Sequence, residues 1–153
     1  MSAPDLLDVN VWLALANPWH THHEAAQHYW SATDAPKAFC RTSMQGFLRL
    51  VTSPVVMGQA VHTPQEAWDM YQLYLNNSHA VFLAEPLTIE SQMRRYTLQP
   101  GFHVRDWTDA WLASFAVTAG CRLVSFDGGF EGYEGLEFLV LGDDEGAVCF
   151  NRL

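Results

Sequence analysis

The chain has 153 residues, enough for one domain with a substantial core. Hydrophobic residues make up 49% of it, with six Trp and nine Phe, which excludes a disordered chain. Seventeen acids against eight bases leave a formal charge of -9, so nonspecific attraction to nucleic acid is poor, and divalent cations or a basic partner protein are favoured.

Cysteine usage narrows the class further. Cys40, Cys121 and Cys149 form no C-x-x-C pair, which removes a zinc ribbon and a disulfide framework and leaves reduced thiols in a cytosolic core. No basic-then-apolar leader and no apolar run of membrane-spanning length occurs, so a cytoplasmic protein without membrane contact is expected.

In chain order, Pro4 to Val9 reads as a short buried strand with Asp8 near its end. Asn10 is expected to cap an apolar helix, VWLALANP, that Pro18 stops. A second helix runs from His22 to Ala32 with Ala26, Tyr29 and Trp30 inward, and Ala38 to Cys40 make a second strand. Thr42 or Ser43 should cap the helix in RTSMQGFLRLVTSP, which turns Phe47, Leu48 and Val51 inward and ends at Pro54. Thr63, Pro64 and Glu66 supply the N-cap, first-turn proline and capping box of a helix that closes at Asn76-Asn77. AVFLAEP is a third strand and Thr88 to Thr97 another helix.

The stretch from His103 to Phe130 holds most of the candidate chemistry. A loop leads into a helix opening near Thr108, apolar on nearly every face and stopped by Gly120. A strand from Arg122 to Phe126 follows, ends on Asp127 and runs into Gly-Gly. A Gly-rich loop, a last strand in GLEFLVL and a loose acidic tail of roughly ten residues complete the chain. Short strands alternating with helices predict a single α/β domain of residues 1–153, a mostly parallel sheet covered on both faces.

In a parallel sheet all strand carboxyl ends share one edge, and ligands bind in the crevice outside it. Asp8, the pair Asp106 and Asp109, and Asp127 all fall at strand ends or helix starts, so acids distant in sequence can converge there. Gathered carboxylates repel, and Mg²⁺ or Mn²⁺ relieves them while leaving coordination positions for a phosphate. The reaction class that fits is phosphodiester hydrolysis. Each residue also has a plainer explanation. Asp106 can be the N-cap of its helix and Asp109 its dipole-favoured third residue, and Asp127 can begin a turn with Gly128. Asp8, a charge inside LLDVNVWLALA, is hardest to explain without a partner. His20, His22, His23 and His28 read as solvated residues at a helix start, and AWDMYQLYL reads as packing or a dimer or partner surface.

LLDVNVWLALA, GFLRLVTSP, TDAWLASFAV and LVSFDGGF, in that order and spacing, resemble the PIN-domain ribonucleases and, more narrowly, the VapC-type toxins of bacterial toxin–antitoxin pairs. The resemblance implies a three-layer α/β/α sandwich and a Mg²⁺-dependent endoribonuclease acting on RNA, often tRNA or rRNA. It further implies a cognate antitoxin and a homodimer. Asp8, Asp109 and Asp127 match the metal acids and Asn10 a residue that holds the first of them. The glutamate usual in the second motif falls on Gly46, with Gln45 beside it, so the metal has fewer anionic ligands. Asp106 could compensate, and Arg49 is expected to salt-bridge an acid of the site. The alternative function is a PIN-like module with a weakened site that acts by gripping an antitoxin or other partner.

Overall fold

The computed structural model describes residues 2–77 and 79–142, together with the backbone of 148–150. Among the described residues six strands form one sheet: β1 (Asp5–Leu7), β2 (Lys37–Phe39), β3 (Ala80–Phe82), β4 (Arg122–Ser125), β5 (Phe138–Val140) and β6 (Val148–Phe150). Their order is β3-β2-β1-β4-β5-β6, with the first five parallel and β6 antiparallel to β5. Part of the expected acidic tail is thus an edge strand; residues 143–147 and 151–153 lie outside the described residues.

Helices cover both faces, because each central strand sends successive apolar side chains to opposite sides. Leu7 and Val124 face a layer of α1 (Val9–Ala16), α2 (His23–Ala32), α3 (Arg41–Val51) and α5 (Pro64–Asn76). Leu6 and Leu123 face α6 (Ile89–Thr97) and α7 (Trp107–Ala119) on the other side. On the first face Trp12 stacks on Phe39 at 3.6 Å between ring centroids, and Tyr74 of α5 packs edge-on at 5.1 Å. A short α4 (Pro54–Met57) shows that Pro54 opens a new turn as well as ending α3.

Helix boundaries follow local hydrogen bonding. Thr63 and Glu66 form the expected capping box, with Glu66 N–H donating to Thr63 Oγ1 at 3.2 Å and Thr63 N–H to Glu66 Oε1 at 2.9 Å. Gly120 closes α7 at φ 70°, a left-handed conformation that a Cβ would penalise. Two expected caps are displaced. The cap of α1 is Asp8, not Asn10: its backbone is extended and its Oδ1 accepts the Val9 N–H at 2.7 Å. In α3, Cys40 holds the cap position, and Ser43 acts from inside the first turn, its hydroxyl accepting the Cys40 N–H at 2.9 Å.

The amino edge of the sheet is pinned by buried charge. Asp5, 2% exposed, takes a bidentate pair from Arg122 at 2.9 and 2.8 Å and the Tyr29 hydroxyl at 2.5 Å. Lys37, the only lysine, is fully buried and donates to Trp30 O at 3.2 Å and to Thr33 O, which satisfies carbonyls at the end of α2. Arg122 and Lys37 flank Asp5 on adjacent strands, so the bases are spent on structure at this edge and the acids gather at the other.

Candidate metal centre

The chain leaves β1 toward β2 and reaches β4 on β1's other side, so the β1–β4 junction is a topological switch point. That is where the crevice at the carboxyl edge opens. Asp8 is the residue leaving β1, and Asp127 stands two residues beyond β4.

Ser125, the last residue of β4, joins them. Its hydroxyl donates to Asp8 Oδ2 at 2.8 Å and accepts the Asp127 backbone N–H at 3.0 Å. It also accepts the Asn10 side-chain amide at 3.1 Å, and Asn10 Oδ1 accepts the Phe126 N–H at 3.3 Å. Asn10 therefore supports the first acid through Ser125 rather than by direct contact. Sequence reasoning passed over Ser125; the signal was a lone hydroxyl in the otherwise apolar strand LVSF.

Asp109 approaches from the other layer, in the first turn of α7. Its carboxyl is pushed up to about 6, first by burial and then by the negative charges of Asp8, Asp127 and Asp106. Asp8 is also raised by burial, partly countered by its bonds from Ser125 and Val9, with Asp127 adding repulsion. Acids 101 residues apart in sequence thus stand in one another's field. Asp106 occupies the N-cap position of α7 but makes no capping bond; it pairs at 3.8 Å with Arg105, a contact exposed enough to contribute little. Asp127 does start a turn, its Oδ1 accepting the Gly129 N–H at 2.8 Å.

The donor set fits a hard divalent cation: carboxylate oxygens only, near enough that Asp8, Asp127 and Asp106 all bear on Asp109. The side chains share a field without closing on a point. Among the described residues no three His, Cys, Asp or Glu converge tightly enough to enclose an ion as they stand. Asp106, Asp109 and Asp127 all face a cavity of about 680 Å³ that Phe102 and Tyr133 also line.

The second-motif slot is closed by packing. A Cβ on Gly46 would lie 2.7 Å from Val9 Cγ2 and 3.4 Å from Cγ1, because α3 crosses α1 at this contact. Gln45 is exposed beside it. Arg49 corrects an expectation: it is exposed, and among the described residues no ion pair links it to an acid. The histidines are more structured than solvated residues would be. His20 Nδ1 accepts the His22 N–H at 3.0 Å, His23 Nδ1 lies 2.7 Å from Ala14 O, and His22 stacks on Phe126 at 4.4 Å.

Comparisons with known proteins agree with this architecture. The PIN domain profile matches residues 6–136. Ribonuclease VapC41 of Mycobacterium tuberculosis is 38% identical over 142 residues, covering 89% of this chain and 97% of its own. Ribonuclease VapC38 of the same organism is 33% identical over 125 residues, 81% and 85% of the two chains. Among solved structures, Mycobacterium tuberculosis VapC20, described as a sarcin–ricin loop cleaving toxin, superposes with a TM-score of 0.63 at 16% identity over 86% of this chain and 98% of its own. VapBC2 from Rickettsia felis, bound to a DNA fragment from its promoter, gives 0.63 at 13% identity over 88% and 96%. These two support the fold, a three-layer α/β/α sandwich, and the sequence relatives support more: the chain belongs to the PIN-domain family, among its VapC-type ribonucleases.

Proposed function

We propose that the chain is a Mg²⁺-dependent endoribonuclease that hydrolyses RNA phosphodiester bonds as the toxin of a toxin–antitoxin pair, with Mn²⁺ able to replace Mg²⁺. The observation that carries this reading is the Asp109 carboxyl, half-buried at the crevice and raised to about 6 by burial first and then by the charges of Asp8, Asp127 and Asp106. A cation bound there would relieve the repulsion that these neighbours exert on an ionised Asp109.

Asp8, Asp109 and Asp127 would hold the ion, and Asp106 would stand at its outer side. A divalent cation there supplies Lewis acidity toward a phosphate oxygen and makes water a better nucleophile. The protein's own part is positional. The Val9 N–H and the Ser125 hydroxyl fix the two oxygens of Asp8, and the Gly129 N–H fixes one of Asp127, so both carboxylates are held on a defined bearing. Asp109 must lose its proton before it can act as a ligand, a transition that burial and its acidic neighbours delay to about pH 6.

An antitoxin partner follows from the VapBC character of the Rickettsia felis neighbour, and an RNA substrate from the ribonuclease relatives. For this chain we assign, on the same reading, a cognate antitoxin, a structured RNA such as tRNA or rRNA, a homodimer and a cytoplasmic location. The acidic surface, net -9, fits a basic antitoxin segment better than bulk RNA, so RNA has to be held locally.

The test is titration calorimetry with Mn²⁺ alongside RNA cleavage, wild type against Asp109→Asn. Metal-dependent cutting abolished by the substitution supports the enzyme. The second reading, a partner-binding module with a weakened site, rests on the acid missing at Gly46. Neither protein cutting RNA while both bind antitoxin tightly would support that reading instead.

A further inference from the structure

The cavity beside Asp109 has a wall the hydrolytic chemistry does not use. We infer that it takes one unstacked nucleobase of the RNA strand, next to the bond that is cut, and that Phe102 and Tyr133 are the residues that hold it. The inference rests on the ribonuclease reading above and adds the substrate contact to it.

The cavity, about 680 Å³, is within the range of small-molecule sites and larger than a base requires. Its rim carries the acids and its wall carries aromatic rings. Both rings are held in place by neighbours. Trp107 packs edge-on against Phe102 at 5.1 Å, and Tyr96 edge-on against Tyr133 at 4.9 Å. Tyr96 is itself tied down by its hydroxyl, which donates to Glu134 O at 2.5 Å. Rings fixed this way lose little freedom when a base stacks on them.

Glycine keeps the space open. Gly101 and Gly132 line the cavity, and a Cβ built on either meets nothing within 4 Å. Gly101 is at φ 85°, so its backbone also resists substitution, whereas Gly132 has no such conformation.

Charge makes stacking necessary. With seven arginines and one lysine in the chain, and Lys37 and Arg122 committed to the far edge, few cations remain for phosphate contacts. Among the described residues Arg105, 83% exposed, is the one cation that lines it. Affinity that cannot come from counterion release has to come from a neutral contact, and base stacking on an aromatic ring is one. Single-stranded RNA is recognised in this way, by splayed bases rather than by grooves.

The experiment uses a cleaved oligoribonucleotide and copies carrying an abasic ribose at each position flanking the cut. For wild type, one abasic position should lower kcat/KM by between about 5- and 150-fold, the worth of a single base stack. Gly132→Leu adds bulk at the cavity lining, where a Cβ meets nothing within 4 Å, and Phe102→Ala removes a wall. Both should raise KM on the natural oligonucleotide by about the same factor, keep kcat within about twofold and leave Mn²⁺ affinity unchanged. On the abasic copy neither variant should lose more. Wild-type cleavage indifferent to every abasic position, or losses that multiply in the variants, overturns the base pocket and leaves the nuclease standing. Failure of wild type to cut any RNA with either metal overturns both.

Discussion

Gly46→Ala tests the packing that removed the second-motif acid. The added Cβ would stand 2.7 Å from Val9 Cγ2, where apolar carbons rest about 3.5–4.0 Å apart, so it intrudes by roughly 1 Å. Val9 is β-branched and sits in α1, where its χ1 has one good rotamer, so the methyl cannot swing aside and the helices must part. Overpacking of that size costs about 1–3 kcal/mol. Alanine in place of glycine inside a helix stabilises by about 0.8–1.0 kcal/mol. The net expectation is a loss of about 0–2 kcal/mol, against the gain that helix propensity alone predicts. In a Val9→Ala background the intrusion is gone, and the same substitution should stabilise by up to about 1 kcal/mol. Urea midpoints for the four proteins of the cycle give the coupling, expected at about 1–3 kcal/mol. Cleavage should fall with it, since the Val9 N–H holds Asp8 Oδ1 and displacing Val9 moves the acid. Gly46→Ala stabilising the wild-type background, with coupling under about 0.3 kcal/mol, would refute the reasoning. Gly46→Glu would then be expected to recover metal affinity, whereas the packing predicts that it only unfolds.

Three further outcomes follow from the site and its far edge. Asp109→Asn should stabilise the metal-free protein above pH 6, on the order of 1 kcal/mol after allowing for the exposed part of the group. The sign follows from the raised pKa: the native carboxyl holds its proton more tightly than the unfolded one, so wild type loses stability between about pH 4 and 6, and the advantage of the variant should vanish at lower pH in thermal melts. Ser125→Ala unties Asp8, Asn10 and the Asp127 backbone together, and should weaken Mn²⁺ binding by about 10–100-fold in calorimetry while far-UV circular dichroism stays native. Arg122→Ala strands the buried Asp5 carboxylate and should cost about 3–5 kcal/mol in urea melts, with per-molecule cleavage by the folded fraction unchanged because the pair lies at the opposite edge of the sheet.

Much of the fold was legible because parallel strands with helices on both faces read as short apolar runs between periodic segments. Gly120 and the Thr63–Glu66 box could be placed to the residue, since each depends on groups within four positions. The displaced caps failed for a related reason. Asp8, Asn10, Thr42 and Ser43 are all capable of capping, and the winner is set by where the strand releases the backbone, a tertiary matter. Ser125 to Asp8, His22 to Phe126 and Gly46 to Val9 are contacts across the fold, invisible to spacing. Arg49 lies on the helix that carries the second motif, yet its side chain is exposed, and motif membership does not fix which way a residue faces.

The choice posed by the sequence, local cap or metal acid, dissolves at the level of atoms. A carboxylate has two oxygens, and the backbone asks for one. In Asp127 the Gly129 N–H takes Oδ1. In Asp8 both oxygens are used, by Val9 and by Ser125, and those bonds partly offset the burial that raises its pKa. Asp109 differs: burial and three neighbouring charges raise it, and among the described residues no hydrogen bond to its carboxyl counters them. Burial and the charges of three neighbours therefore act together at Asp109, the member on the other layer. Asp8 and Asp127 are held by the fold, and Asp109 is held by whatever neutralises it. Its protonation state should accordingly decide whether a cation binds, and the two layers should be drawn together at this rim when one does.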